Sequence, residues 1–152
     1  MRIKFEDMLN EFKRILVKKG MNEEEAYISA KLFAENSLDG VYSHGINRFP
    51  RVINYIEKGY IDVKAKAEKV DGFGCFERWD GNLAMGNLNA KICMDRAIEL
   101  SKEYGVGVVA IKNTNHWMRG GAYGSQAADA GCVGICWTNT MPNMPAWGAK
   151  DR

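Results

Sequence analysis

An α/β fold with an all-helical N-terminal lobe is what this sequence predicts, and three observations carry the prediction. Residues 4–58 place apolar side chains at helical spacing, with no strand-like run among them. From Cys75 onward, short runs rich in β-branched and aromatic residues alternate with helix-compatible segments, the order expected of an α/β layer. The 152 residues are 46% hydrophobic, enough to bury one ordinary core and no more.

The first helix is expected from Lys4 to Lys19. Phe5, Met8, Leu9, Phe12, Ile15 and Leu16 recur on one face, and Gly20 supplies a left-handed stop. Asn22 can cap a second helix, with Glu25 placed for a capping box and Glu23 and Glu24 favouring the positive end of the dipole. Its inner face is Ala26, Ala30, Phe33, Ala34 and Ser37, and Gly40 ends it. Pro50 belongs in a first helical turn, so a third helix running to Lys58 should begin near Asn47. Ile61 to Asp71 is polar and reads as a connection, whereas Cys75 to Trp79 before Asp80-Gly81 reads as a strand ending in a turn. Asn87 to Tyr104 is helical, with Ala90, Cys93, Met94, Ala97 and Ser101 on one face and Gly105 as its stop. Val106 to Lys112 is a strand, Asn113 to Gly124 a long loop, Gln126 to Ala130 helix-compatible, and Val133 to Trp137 a second strand-like run.

Composition narrows the function. A formal net charge of +2, with no basic run interleaved with aromatics, argues against a nucleic-acid partner. No stretch approaches the length of a membrane span, and Met1 to Gly20 is charged throughout, unlike a signal peptide, so the cytoplasm is expected. Cys75, Cys93, Cys132 and Cys136 lack the paired short spacings of a zinc site, and no metal site is expected. On a strand, Cys132 and Cys136 would stand roughly 13 Å apart, beyond disulfide reach, so reduced and packed thiols are expected.

Two stretches invite chemistry. His44 and Arg48 fall beside the start of the third helix, where free N–H groups and a guanidinium suit an anion such as a carboxylate. The alternative is that His44 packs the turn and Arg48 is solvated. His116 follows a strand, at the carboxyl end where open α/β sheets bind ligands, or is satisfied by backbone. Gly120, Gly121 and Gly124 do not have the G-x-G-x-x-G spacing, so they are no dinucleotide fingerprint. Trp117, Trp137 and Trp147 wall a pocket or fill the core, with core the safer reading.

Three motifs together narrow the choice: Ser43-His44-Gly45 with Asn47-Arg48-Phe49-Pro50; Asn115-His116-Trp117-Met118-Arg119-Gly120-Gly121 with Tyr123-Gly124; and Cys136-Trp137-Thr138-Asn139 leading to Trp147-Gly148-Ala149-Lys150. They resemble the malate/L-lactate dehydrogenase family that lacks the Rossmann fold, and the resemblance runs from end to end of the chain. It implies a cytoplasmic, homodimeric reductase of a small 2-oxo acid that uses NAD(P)H, with NADH favoured. By matching motif positions, the resemblance makes His44 the proton donor, His116 a second acid/base or orienting group, Arg48 and Ser43 substrate-binding, and Thr140 cofactor-binding. The wording of the His116 and Arg48 motifs favours another branch over the malate, lactate and ureidoglycolate dehydrogenases, which stand as the alternative. The family's usual extent is more than twice this length, so residues 1–152 are expected to be the N-terminal part of a longer dehydrogenase. Its helical lobe would span about 1–60 and the start of its α/β domain about 70–152, an incomplete non-Rossmann fold. The contrary expectation is an inactive piece that binds only an anion or a partner subunit.

Overall fold

The computed structural model describes residues 2–139 and Gly148. Three helices come first, α1 (Phe5–Lys18), α2 (Glu23–Leu38) and α3 (Phe49–Glu57), with a 3-10 turn at Tyr42–His44 before α3. Then follow β1 (Glu68–Phe73), β2 (Phe76–Asp80), α4 (Gly86–Tyr104), β3 (Val108–Lys112) and α5 (Gly120–Asp129).

Apolar spacing on α1 and α2 produces the core directly. Leu9, Phe12 and Leu16 close against Ala26, Ala30, Phe33 and Ala34, and Phe49 and Val52 of α3 complete the same cluster. The Phe12 and Phe49 rings stack at 4.1 Å, with Phe33 edge-on to Phe49 at 5.2 Å. Each large side chain so buried contributes about 1.5–3 kcal/mol. The Asn22 side chain accepts from the Glu25 N–H at 2.9 Å, so α2 starts where the capping pattern placed it. At its other end Gly40 takes a φ of 78°, which lets the chain leave at once for the 3-10 turn.

The sheet has the order β1-β2-β3, with β1 antiparallel to β2 and β3 parallel to it. A parallel pair needs a long crossover, and α4 supplies it. Glu77 on β2 is buried and accepts from Arg96 of α4 at 2.8 Å, Lys69 of β1 at 2.7 Å and the Trp79 indole at 3.0 Å. The Arg96 hydrogen bond is the main reason its carboxyl is lowered to about 2. One carboxylate thereby ties the sheet to the helix that crosses it.

Four expectations change. The stretch read as connection up to Asp71 ends inside β1, which starts at Glu68; the strand's sequence, EKVDGF, is mostly exposed and lacks an alternating apolar pattern. Helix α5 starts at Gly120 rather than after Gly124, because Tyr123 and Ala127, one turn apart, bury on one face and hold the glycine-rich turn helical. Residues 133–137 form no strand and pair with no described strand, and Trp137 is 77% exposed instead of in the core. Helix α3 begins at Phe49, two residues later than Asn47, with Pro50 in its first turn as required. All four cysteines are free, though only Cys93 is buried, and burial pushes its thiol up to about 12.

Candidate active site

The C-terminal end of α2 holds both histidine segments. Asn36 donates to the His44 carbonyl at 3.1 Å, and the Ser37 hydroxyl accepts from the Ile46 N–H at 2.9 Å. Gly45 lies so close to this helix that a Cβ there would collide with the Ser37 hydroxyl and stand 2.8 Å from its amide nitrogen. Asp39, at the same helix end, forms an ion pair with Arg119 of the loop that carries His116.

That loop, Asn113 to Arg119, is pinned from several sides. Asn115 donates to the carbonyls of Leu83 at 2.8 Å and of Ala84 and Tyr60 at 3.2 Å. Met118, at a φ of 69°, sends its side chain into the helical core, where it is 4% exposed. The start of α4 lies against the same loop, and a Cβ on Gly86 would fall onto the Asn115 and His116 carbonyl oxygens.

These constraints bring the two imidazoles together, their ring centroids 5.6 Å apart and inclined at 39°. Beside them Arg48, Val52, Tyr55, Ile61, Asn115, His116 and Met118 line a cavity of about 40 Å³. Burial lowers the His44 pKa, with the Arg48 guanidinium adding to it. For His116, which solvent still reaches, desolvation by the surrounding loop again leads, followed by Arg48 and by His44.

Arg48 caps α3, and its Nε lies 3.4 Å from the Ser43 carbonyl; its two terminal nitrogens have no partner among the described residues. The free helix N–H groups expected there are mostly used: the Arg48 and Phe49 amides donate to the Gly45 carbonyl, and Pro50 has none. An anion would therefore be held by the guanidinium rather than by the helix end. Ser43, exposed, places its hydroxyl 2.9 Å from the His44 Nδ1.

Of the residues singled out from sequence, Ser43, His44, Arg48 and His116 thus converge, while Thr140 and Trp147 lie outside the described residues. Sequence reasoning gave no separate role to Asn115, Met118, Tyr55 or Tyr123. Asn115 stood inside a quoted motif, but nothing local says that its amide will find carbonyls more than thirty residues away. No dinucleotide cradle forms among the described residues: Gly120, Gly121 and Gly124 lie within α5. Nor, among them, do three or more His, Cys, Asp or Glu side chains gather as a metal-binding group, and no helix is long and apolar enough to cross a membrane.

A family profile described as malate/L-lactate dehydrogenase matches residues 3–152. Over 151 residues, 99% of the chain, the sequence is 52% identical to 2,3-diketo-L-gulonate reductase of Pasteurella multocida and to that of Haemophilus influenzae. The Escherichia coli protein of that name is 49% identical over the same length. The chain spans 46% of the length of each of these relatives. Among solved structures, malate dehydrogenase of Pyrococcus horikoshii superposes with a TM-score of 0.84 at 30% identity over 86% of the chain, and 38% of its own. Sulfolactate dehydrogenase of Methanocaldococcus jannaschii gives 0.82 at 36% identity, over 85% of this chain and 38% of its own.

Proposed function

The chain belongs to the malate/L-lactate dehydrogenase family, and from that premise we propose that it carries the proton-donating and carboxylate-binding part of a nicotinamide-dependent reductase of a 2-oxo acid. The identity to reductases of 2,3-diketo-L-gulonate favours that compound as substrate over malate, lactate or ureidoglycolate. The observation that carries the reading is the pair of imidazoles 5.6 Å apart, both in the field of Arg48, with His116 and Arg48 lining one small cavity. At about 40 Å³ the cavity takes a carboxylate-sized group, far less than the several hundred Å³ of a complete ligand site. This chain therefore supplies one wall of the site. The proposed division is a helical lobe over about 1–60 and the start of an α/β domain over about 70–152 of a longer, cytoplasmic, homodimeric enzyme.

Each side chain has work suited to its type. Arg48 offers two terminal nitrogens in a fork that matches a carboxylate, fixing the acid end of the substrate. Ser43 and His116 are assigned to orienting the oxo group. A reduced nicotinamide, NADH being favoured, supplies the hydride when bound, with Thr140 proposed at its contact. Reduction leaves the former carbonyl oxygen in need of a proton, and His44 donates it, with a second role in stabilising the developing negative charge. Free His44 is held below its ordinary pKa partly by Arg48. A carboxylate seated on Arg48 cancels that field, so substrate binding itself makes His44 a better-charged acid.

The test is reduction of a series of 2-oxo acids by the native protein, followed through loss of NADH absorbance. His44→Asn is expected to abolish turnover while cofactor affinity, read by NADH fluorescence, stays close to the parent. A variant with normal turnover would remove His44 from the reaction. A parent inactive on every acid yet able to bind an oxo acid would instead favour a piece that only holds an anion.

A further inference from the structure

We propose that His116 is locked as a neutral imidazole carrying its proton on Nε2, and that Tyr123 sets this lock through the Trp117–Met118 peptide, leaving His44 as the one member of the pair free to change charge. The inference rests on the reading above only for what the two rings face; the lock is a property of the chain itself.

The Met118 N–H donates to the His116 Nδ1 at 2.9 Å. A nitrogen that accepts from an amide keeps its lone pair, so the proton of the neutral ring must sit on Nε2. Protonating Nδ1 would turn two N–H groups against each other and break the bond. Turning the peptide would be one escape from such a conflict, but the peptide that makes the bond is itself held. Its carbonyl, on Trp117, accepts from the Tyr123 hydroxyl. In a trans peptide the C=O and N–H point in opposite directions, so holding one aims the other.

Both ends of this lever are anchored in packed structure. Tyr123 is 2% exposed on α5, its ring 5.6 Å from that of Trp117, and burial pushes its phenol well up, which keeps the hydroxyl a donor. Met118 is fixed through its side chain in the helical core, at 4% exposed. The charged groups facing His116 act in the same direction: Arg48 at the cap of α3 and His44 on the 3-10 turn both disfavour a second proton. Arg119, the next cation along the loop, is committed to Asp39.

His44 has the opposite arrangement. Its Nδ1 faces the Ser43 hydroxyl at 2.9 Å. A hydroxyl donates to a bare nitrogen and accepts from a protonated one, so both charge states of His44 keep a partner. Two chemically identical side chains are thereby divided: His116 is a fixed donor through Nε2–H, and His44 a group that gains and releases a proton. Tyr123 is a positioning residue, acting on His116 through one peptide plane.

The experiment is long-range ¹H–¹⁵N correlation of the two imidazoles in the native protein across a pH titration. The expected result is a single Nε2–H tautomer pattern for His116 that persists to lower pH than the midpoint of His44. A His116 that carries its proton on Nδ1, or that becomes imidazolium at or above the His44 midpoint, would overturn the lock. Tyr123→Phe keeps the ring and removes only the hydroxyl; it should give His116 a mixed-tautomer signature and bring its midpoint closer to that of His44, while His44 itself titrates as before. An unchanged His116 signature in that variant would remove Tyr123 from the mechanism. The nitrogen spectra require no turnover, so a protein inactive on all 2-oxo acids with the signature intact would count against the proposed reaction alone.

Discussion

Arg48 and Lys carry the same charge, but only the guanidinium presents two parallel donors to a carboxylate. With Nε directed at the Ser43 carbonyl, the terminal nitrogens of Arg48 are the ones left to face an anion. Arg48→Lys should therefore raise KM for 2-oxo acids by about 10–100-fold, the equivalent of one charge-assisted hydrogen bond at roughly 1.5–3 kcal/mol. KM values within about twofold of the parent across an acid series would count against a role in carboxylate binding. The pH dependence of the same reaction follows from the direction of the histidine shift. Free His44 has its pKa lowered from 6.5 by burial and by Arg48, and in the proposed reduction its acid form is the proton donor. So kcat/KM for reduction should fall as pH rises through a value below 6.5. In the complex the substrate carboxylate offsets Arg48, and the falling limb of kcat should lie at higher pH than that of kcat/KM. Initial rates measured across pH at low and at saturating substrate check this, and coincident limbs would show that Arg48 and the carboxylate do not tune His44.

At the scale of elements, the His116 loop is positioned by how closely α4 approaches it. Gly86 opens α4 with its backbone against the Asn115 and His116 carbonyls, where no side-chain atom fits. Gly86→Ala should cost about 1–3 kcal/mol of stability by overpacking and, by moving the loop, reduce turnover more than it reduces acid binding. Denaturant midpoints and steady-state rates on the one variant check both parts; full stability with full turnover would show that the loop yields freely. The same elements show what could be read in advance. Helices α1, α2 and α4 were legible because periodic apolar residues, the Asn22 cap and the glycine stops are all local signals. Strand β1 was hidden, since its pairing with β2 is a property of two segments and its own residues are mostly exposed, with no alternation of apolar and polar side chains. Helix α5 was half hidden because three glycines speak for a loop, and only the burial of Tyr123 and Ala127 speaks for a helix. In the site, His44, Arg48 and His116 were legible as motif residues. The Tyr123 contact that aims the Met118 amide is tertiary and left no mark in the spacing.

At the scale of the whole molecule, an apolar row has no ladder partner among the described residues. Val133, Ile135 and Trp137 are 91%, 75% and 77% exposed. Between them Gly134 and Cys136 are half-buried, with Gly134 close enough to α5 that a Cβ would sit 2.8 Å from that of Ala127. This is the period of a strand with one face packed on a helix and the other bare. The segment read as a strand from its β-branched and aromatic content therefore has strand-like alternation, while its ladder partner is missing among the described residues. Covering three such side chains would yield about 4–9 kcal/mol gross. Bringing two chains together costs an estimated 4–15 kcal/mol, so a second copy docking here alone should bind weakly. The 152-residue chain on its own is thus expected to self-associate in a concentration-dependent way, with affinity no tighter than micromolar. Sedimentation velocity over a range of concentrations measures it. Replacing Val133, Ile135 and Trp137 together by Thr keeps the extended preference and removes most of the apolar surface, and should return the chain to monomer. A parent chain monomeric at every concentration would show that this row is covered within the chain. Association unchanged in the triple variant would place the contact on another surface.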